Sequence, residues 1–250
     1  MIEIKNIHKA FDDRVVVEDV SFTFQTGKTN VIIGESGSGK TTVLKIMVGL
    51  LFADEGNVLY DGRDFTSMDE IEKREVRKEI GMLFQGGALF DSMTLEDNVK
   101  FPLDMFTKMT EAEKKERVNF CLSKVQLENK NKLYPAELSG GMKKRAALAR
   151  AISNNPKYLF CDEPNSGLDP RTALVIDALI KDLTEEFNIT TVVITHDMNS
   201  VLGIGQHIMY IYKGKMWWDG NNTQILHTTN EELRNFVYAS EFLRQLRPKG

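Results

Sequence analysis

The sequence predicts an α/β fold: a parallel-sheet core, an N-terminal antiparallel β subdomain and a helical insertion. Three observations point there. Apolar runs at residues 30–33, 158–161, 191–195 and 208–212 are separated by stretches with helical spacing, among them 42–51 and 172–186. Strands that alternate with helices in this way form parallel sheets covered on both faces. Residues 1–25 instead alternate in places (Ile2, Ile4; Val15, Val17; Phe22, Phe24), as strands with one buried face do. From 95 to 153 the pattern turns helical and β-branched runs become scarce.

Taken in order, the alternating N-terminal strands lead to the run 30–33, a glycine-rich turn and the helix predicted over 42–51. The run 80–84 precedes the helical insertion. There Thr110 and Glu113 make a capping box, each side chain satisfying a free backbone N–H. Val118, Cys121, Leu122 and Val125 follow at i, i+3, i+4 and i+7, the buried face of an amphipathic helix. The runs 208–212 and 215–218 read as a hairpin turning at Lys213-Gly214. The tail, 231–246, carries Leu233, Phe236, Val237, Leu243 and Leu246 at helical spacing. With no repeat or flexible linker, a single domain is expected. Residues 1–90 and 154–230 form its core, 91–153 a helical subdomain, and 231–250 a C-terminal helical extension.

Composition narrows the function classes. Of 250 residues, 32 are Lys or Arg and 36 Asp or Glu, a net charge of −4. That balance argues against nucleic acid as the main ligand, which calls for a basic footprint. Two cysteines, Cys121 and Cys161, are too few for a disulfide scaffold or a Cys-rich zinc site. The start, MIEIKNIHKAF, lacks the apolar core of a signal peptide, and no stretch approaches the ~18 apolar residues of a membrane span. A reducing, cytoplasmic setting is expected.

The chemistry concentrates in the glycine-rich turn. Gly34-Glu35-Ser36-Gly37-Ser38-Gly39-Lys40-Thr41 fits G-x-x-x-x-G-K-[ST], the P-loop. Its glycines let successive N–H groups turn inward around phosphate oxygens, and the following helix offers its positive end. Lys40 is expected to reach the β- and γ-phosphates of ATP and the Thr41 hydroxyl to ligate Mg²⁺. A second acidic element is needed, and residues 158–163 (YLFCDE) supply it at the end of an apolar run. Asp162 is expected in the metal shell and Glu163 beside the γ-phosphate, where it can polarise an attacking water. The bland alternative makes these two carboxylates caps for the following turn.

With those elements placed, the sequence resembles the nucleotide-binding subunit of ABC transporters over essentially its whole length. The most specific match is Leu138-Ser139-Gly140-Gly141-Met142, similar to the family signature LSGGQ, followed by the helix KKRAALARAI. The resemblance implies a P-loop ATPase fold with a RecA-like core, binding ATP and Mg²⁺. It also implies a homodimer in which Ser139, Gly140 and Gly141 close over ATP on the partner. Phe11 resembles the adenine-stacking aromatic, and Thr42 falls at the phosphate end of the P-loop helix. Gln85 resembles the Q-loop glutamine, a contact of Mg²⁺ and water. Residues 166–169 resemble the interface-crossing D-loop, and His196 the histidine that bonds the γ-phosphate. Met142 stands where the family usually has Gln, and Asn165 where Thr, Ser or Phe is commoner.

Residues 84–103 and 138–152 further resemble the branch that powers phospholipid movement between bacterial membranes. That resemblance implies an integral-membrane permease, an MCE-domain protein and a small regulatory subunit of STAS type. The chain would then sit peripherally on the cytoplasmic face of the inner membrane, with a permease helix in a groove near 85–93. The alternatives are an ABC ATPase for another cargo, such as an amino acid or lipoprotein, or a soluble ABC protein of DNA repair or translation.

Overall fold

A computed structural model describes residues 1–239. Two sheets make the core. The first is antiparallel, in the order β2 (Arg14–Phe24), β1 (Ile2–Phe11), β4 (Glu55–Tyr60), β5 (Arg63–Asp64). The second runs β10 (Lys215–Gly220), β9 (His207–Tyr212), β3 (Thr29–Ile33), β8 (Thr190–Ile194), β7 (Tyr158–Asp162), β6 (Ile80–Leu83). Its last five strands are mutually parallel and β10 pairs antiparallel with β9. The predicted hairpin turns at Lys213 and Gly214, both at positive φ, as a two-residue turn matched to strand twist requires.

Each central strand is buried on both faces, and its alternate residues feed two cores. Val31, Ile33, Cys161 and Val193 face the helical side. There they meet α3 (Leu95–Phe106), α4 (Glu111–Lys124), α5 (Gly140–Ile152), α6 (Pro170–Glu186) and α7 (Met198–Ile204). Ile32, Phe160, Val192 and Ile194 face the antiparallel sheet across α1 (Lys40–Met47). Val118, Cys121, Leu122 and Val125 are buried, as their spacing predicts, and the Thr110–Glu113 capping box forms.

The structure shortens one predicted element and adds others. The helix expected over 42–51 starts at Lys40 and stops at Met47. Gly49, at φ 73°, donates to the carbonyl of Ile46, and Leu50 donates to that of Lys45. This Schellman cap ends the helix, and a Cβ at Gly49 would stand 2.7 Å from the Phe65 ring. The strands β4 and β5 and the helix α2 (Glu70–Lys78) had no sequence expectation. The tail forms α8 (Glu231–Val237), with Leu233 and Val237 buried; Leu243 and Leu246 lie outside the described residues.

Candidate active site

A cavity of about 1080 Å³ opens where β3, β7 and β8 end, the carboxyl edge at which open α/β sheets bind ligands. Its walls come from the glycine-rich turn, from Asp162 and Glu163, and from the link between β8 and α7.

The turn is held open by backbone that only glycine adopts easily. Gly39, at φ 108°, precedes α1, and a Cβ there would lie 2.8 Å from the Val16 carbonyl oxygen. A Cβ at Gly34 would collide with the Ile211 carbonyl. Lys40 lies back across the loop, its Nζ donating to the carbonyls of Gly34 and Glu35 at 2.8 Å each. Burial lowers its ammonium pKa from the ordinary value, with Glu163, Asp162 and Glu35 opposing the shift. Such a cation gains from an incoming anion. Ser38 is buried beneath the loop, and its Oγ has no hydrogen-bond partner among the described residues.

Asp162 closes β7, and burial followed by the Glu163 charge raises its carboxyl pKa. Glu163 sits at φ 47°, left-handed backbone for a side-chain-bearing residue, and its N–H donates to Ile194 O at 2.9 Å. Its Oε1 lies 2.9 Å from Nδ1 of His196. Gln85 lines the same cavity and its Nε2 donates to Ser166 Oγ at 3.3 Å.

These donors suit a hard cation. Thr41, Gln85 and Asp162 bring a hydroxyl, an amide and one carboxylate to the same cavity. No group of three or more His, Cys, Asp or Glu able to hold a metal ion occurs among the described residues. Few protein oxygens, with the remaining positions left to phosphates and water, is how Mg²⁺ is usually held.

Thus Gly34, Glu35, Ser36, Gly37, Lys40, Thr41, Gln85, Asp162, Glu163 and His196 share one cavity. Ser38, Gly39 and Thr42 support it from outside its lining. Phe11 is neither core nor cavity wall: it is 44% exposed, with Lys9 Nζ 5.5 Å from its ring centre. The signature residues also stand outside the lining. Ser139 caps α5, accepting from the N–H of Met142 at 3.3 Å, and Gly141 lies against Thr172 so closely that a Cβ would collide with it.

The ABC transporter family model matches residues 17–166, a span that takes in the P-loop, the signature and the acidic pair. The chain belongs to the ABC transporter family. Over 237 residues this ABC ATPase is 40% identical to the intermembrane phospholipid transport system ATP-binding protein MlaF of Haemophilus influenzae, covering 95% of this chain and 90% of that one. It is also 40% identical, over 246 residues, to the methionine import ATP-binding protein MetN of Clostridium tetani, covering 97% of this chain and 76% of that one. Among solved structures, it is similar to a dimeric post-hydrolysis state of the ATP-binding cassette MJ0796 bound to ADP and Pi. The TM-score is 0.80 at 33% identity, over 89% of this chain and 99% of that one. The likeness to cbiO1 from Clostridium perfringens, at TM-score 0.85 and 24% identity over 99% of this chain and 98% of that one, extends to the fold. The transporter family and the dimeric cassettes together imply a dimer that works with a membrane permease. No helix among the described residues is long and apolar enough to cross a membrane.

Several features of the ABC ATPase site had no sequence signal. Lys144, on α5, is buried, and its Nζ donates to the Gln85 carbonyl and, at 3.4 Å, to that of Glu163. Its periodicity is that of any helix residue, and only the fold shows that it points inward. Phe236 and Val237 of α8, legible in the sequence only as part of an apolar helical stripe, line the cavity, with Phe236 5.5 Å from the Tyr210 ring. Asn165, noted only as a departure from the family pattern, is buried in the turn after Glu163.

Proposed function

We propose that this chain is the ATP-hydrolysing subunit of a transporter that moves phospholipid between bacterial membranes. It would work as a homodimer on the cytoplasmic face of the inner membrane, with a permease, an MCE-domain protein and a small STAS-type regulatory subunit. The observation that carries the cargo is the 40% identity to the H. influenzae phospholipid-transport ATPase over 90% of that protein. The resemblance of residues 84–103 and 138–152 adds to it.

In the proposed reaction the P-loop N–H groups and Lys40 hold the phosphates. Thr41, Gln85 and Asp162 would hold Mg²⁺, which would supply positive charge against the phosphate oxygens. Glu163 takes a proton from water as the water oxygen bonds to the γ-phosphorus and the bond to the ADP oxygen breaks. His196 donates to the γ-phosphate, and positioning with electrostatics does most of the work. Phe11 would stack on adenine from beside the cavity. Ser139, Gly140 and Gly141, which do not line their own P-loop cavity, would complete the partner's. Dimer closure therefore depends on ATP.

A groove of about 450 Å³ supports the permease contact. Phe84, Phe90 and, from α3, Phe101, Met105 and Phe106 line it, with the Phe90 and Phe101 rings 4.8 Å apart. Leu89 packs inward against the core instead.

The equal identity to the methionine importer favours one second reading, an ATPase for amino-acid import. Purification of the tagged chain from detergent-solubilised membranes, with mass spectrometry of bound proteins and lipids, separates the two. A multi-span permease with an MCE-type protein and phospholipid is expected. A permease with a different substrate-binding protein would keep the ATPase and discard the cargo.

A further inference from the structure

Two residues beyond Glu163 lies a side chain that neither the phosphate cradle nor the acidic pair uses. Asn165 Nδ2 donates to Asp177 Oδ1 at 2.8 Å and to Ser200 Oγ at 2.9 Å. Ser200 also hydrogen-bonds Asp177. All three are buried, Asp177 and Ser200 almost completely. They come from three elements: the turn after β7, the middle of α6, and α7, which begins just after His196.

Oδ1 of Asn165 is buried and accepts no hydrogen bond among the described residues, so the amide is held by the two bonds its nitrogen donates. Burial raises the Asp177 carboxyl pKa above its ordinary value, while the bonds from Ser200 and Asn165 oppose the shift. A buried carboxylate is poor evidence of stabilisation in its own right. What this one does is join the two elements that carry Glu163 and His196.

The pair it joins needs such a support. Glu163 holds left-handed backbone, which persists in a glutamate only where its surroundings over-determine it. The His196 side chain is 70% exposed and meets Glu163 at 2.9 Å. An exposed ring has little packing to hold it, so its alignment follows the backbone between β8 and α7. The relative placement of the Glu163 turn and α7 sets the contact, and Asn165, Asp177 and Ser200 bond the two through α6.

We infer that Asn165, Asp177 and Ser200 are positioning residues for hydrolysis, acting through Glu163 and His196. The inference rests on the roles proposed above for those two residues.

Steady-state ATPase and ATP-binding measurements on the full chain test it, with Glu163→Gln as reference. Asn165→Ala and Ser200→Ala should lower kcat about tenfold, with KM for ATP within about twofold and nucleotide binding retained, because misalignment taxes the reaction rather than the cradle. Asp177→Ala should behave alike, whereas Asp177→Asn, which keeps an acceptor for Asn165, should retain most of the wild-type kcat. If kcat in the Asn165 and Ser200 variants stays within twofold of wild type while Glu163→Gln is inactive, the inference fails and the Glu163 assignment stands. If kcat and nucleotide binding fall together, the cluster is structural and the inference again fails. Near-normal turnover in Glu163→Gln would remove the base assignment itself, and with it the pair these residues position.

Discussion

Glu163 and His196 meet at the end of two neighbouring parallel strands, the carboxylate Oε1 2.9 Å from the ring Nδ1. Among the described residues the contact leaves the other carboxylate oxygen and the other ring nitrogen without a hydrogen-bond partner, available for a reacting phosphate and water. Loss of a general base costs about 10²–10⁴-fold in rate. Glu163→Gln should therefore release phosphate at least about a hundredfold more slowly while still binding ATP. Phosphate release and equilibrium nucleotide binding, measured side by side, check this.

Lys144 carries the second link around Glu163. Replacing it with Met leaves the part-buried Gln85 carbonyl without its donor and the Glu163 carbonyl with the Ser166 N–H alone, and an acceptor orphaned on burial costs about 1–3 kcal/mol. Lys144→Met should lower the melting midpoint by several degrees, at about 2–4 °C per kcal/mol for a chain of this size. Calorimetry reads it directly.

Glu79 lies between Arg63 at 2.5 Å and Lys157 at 3.0 Å. Burial raises its carboxyl pKa, but the bonds from Arg63 and Lys157 outweigh that and leave it below the ordinary value of 4.5. The stability it contributes is thus present above about pH 4.5 and lost as pH falls through the lowered value. Wild type should exceed Glu79→Gln by about 1 kcal/mol near neutral pH, and the gap should close in acid. Urea titrations across pH measure it.

Both thiols are buried. Burial pushes the Cys121 thiol up to about 11 and raises Cys161 further, and the thiol form is the unreactive one. A thiol reagent at neutral pH should label neither in the native protein and both after denaturation.

Much of this was legible in the sequence, and the reasons for the exceptions are physical. The parallel strands are short apolar runs because both faces are buried, and the P-loop residues carry their spacing because phosphate demands it. The helix α2 (EIEKREVRK) is polar almost all round and buries only Lys73 and Val76. It stands on the Asp69–Glu72 capping box, which a periodicity search does not see. Strand β4 (EGNVLY) is short and broken by glycine, with its pairing to β1 supplied from some fifty residues away. Asn165 and Lys144 act through partners remote in sequence, and no local pattern encodes those contacts. Phe11 was placed by resemblance alone, and the structure sets it outside the cavity lining.

The central claim is that one chain's P-loop cavity is completed by a second chain's signature turn. Light scattering of Glu163→Gln with and without ATP and Mg²⁺ tests this most directly. One chain has a mass of 28.4 kDa. Adding ATP should double the measured mass, and a further Ser139→Arg substitution in the signature should abolish the doubling while nucleotide binding persists. A mass that stays at one chain with saturating ATP, or a dimer indifferent to Ser139→Arg, would contradict the account.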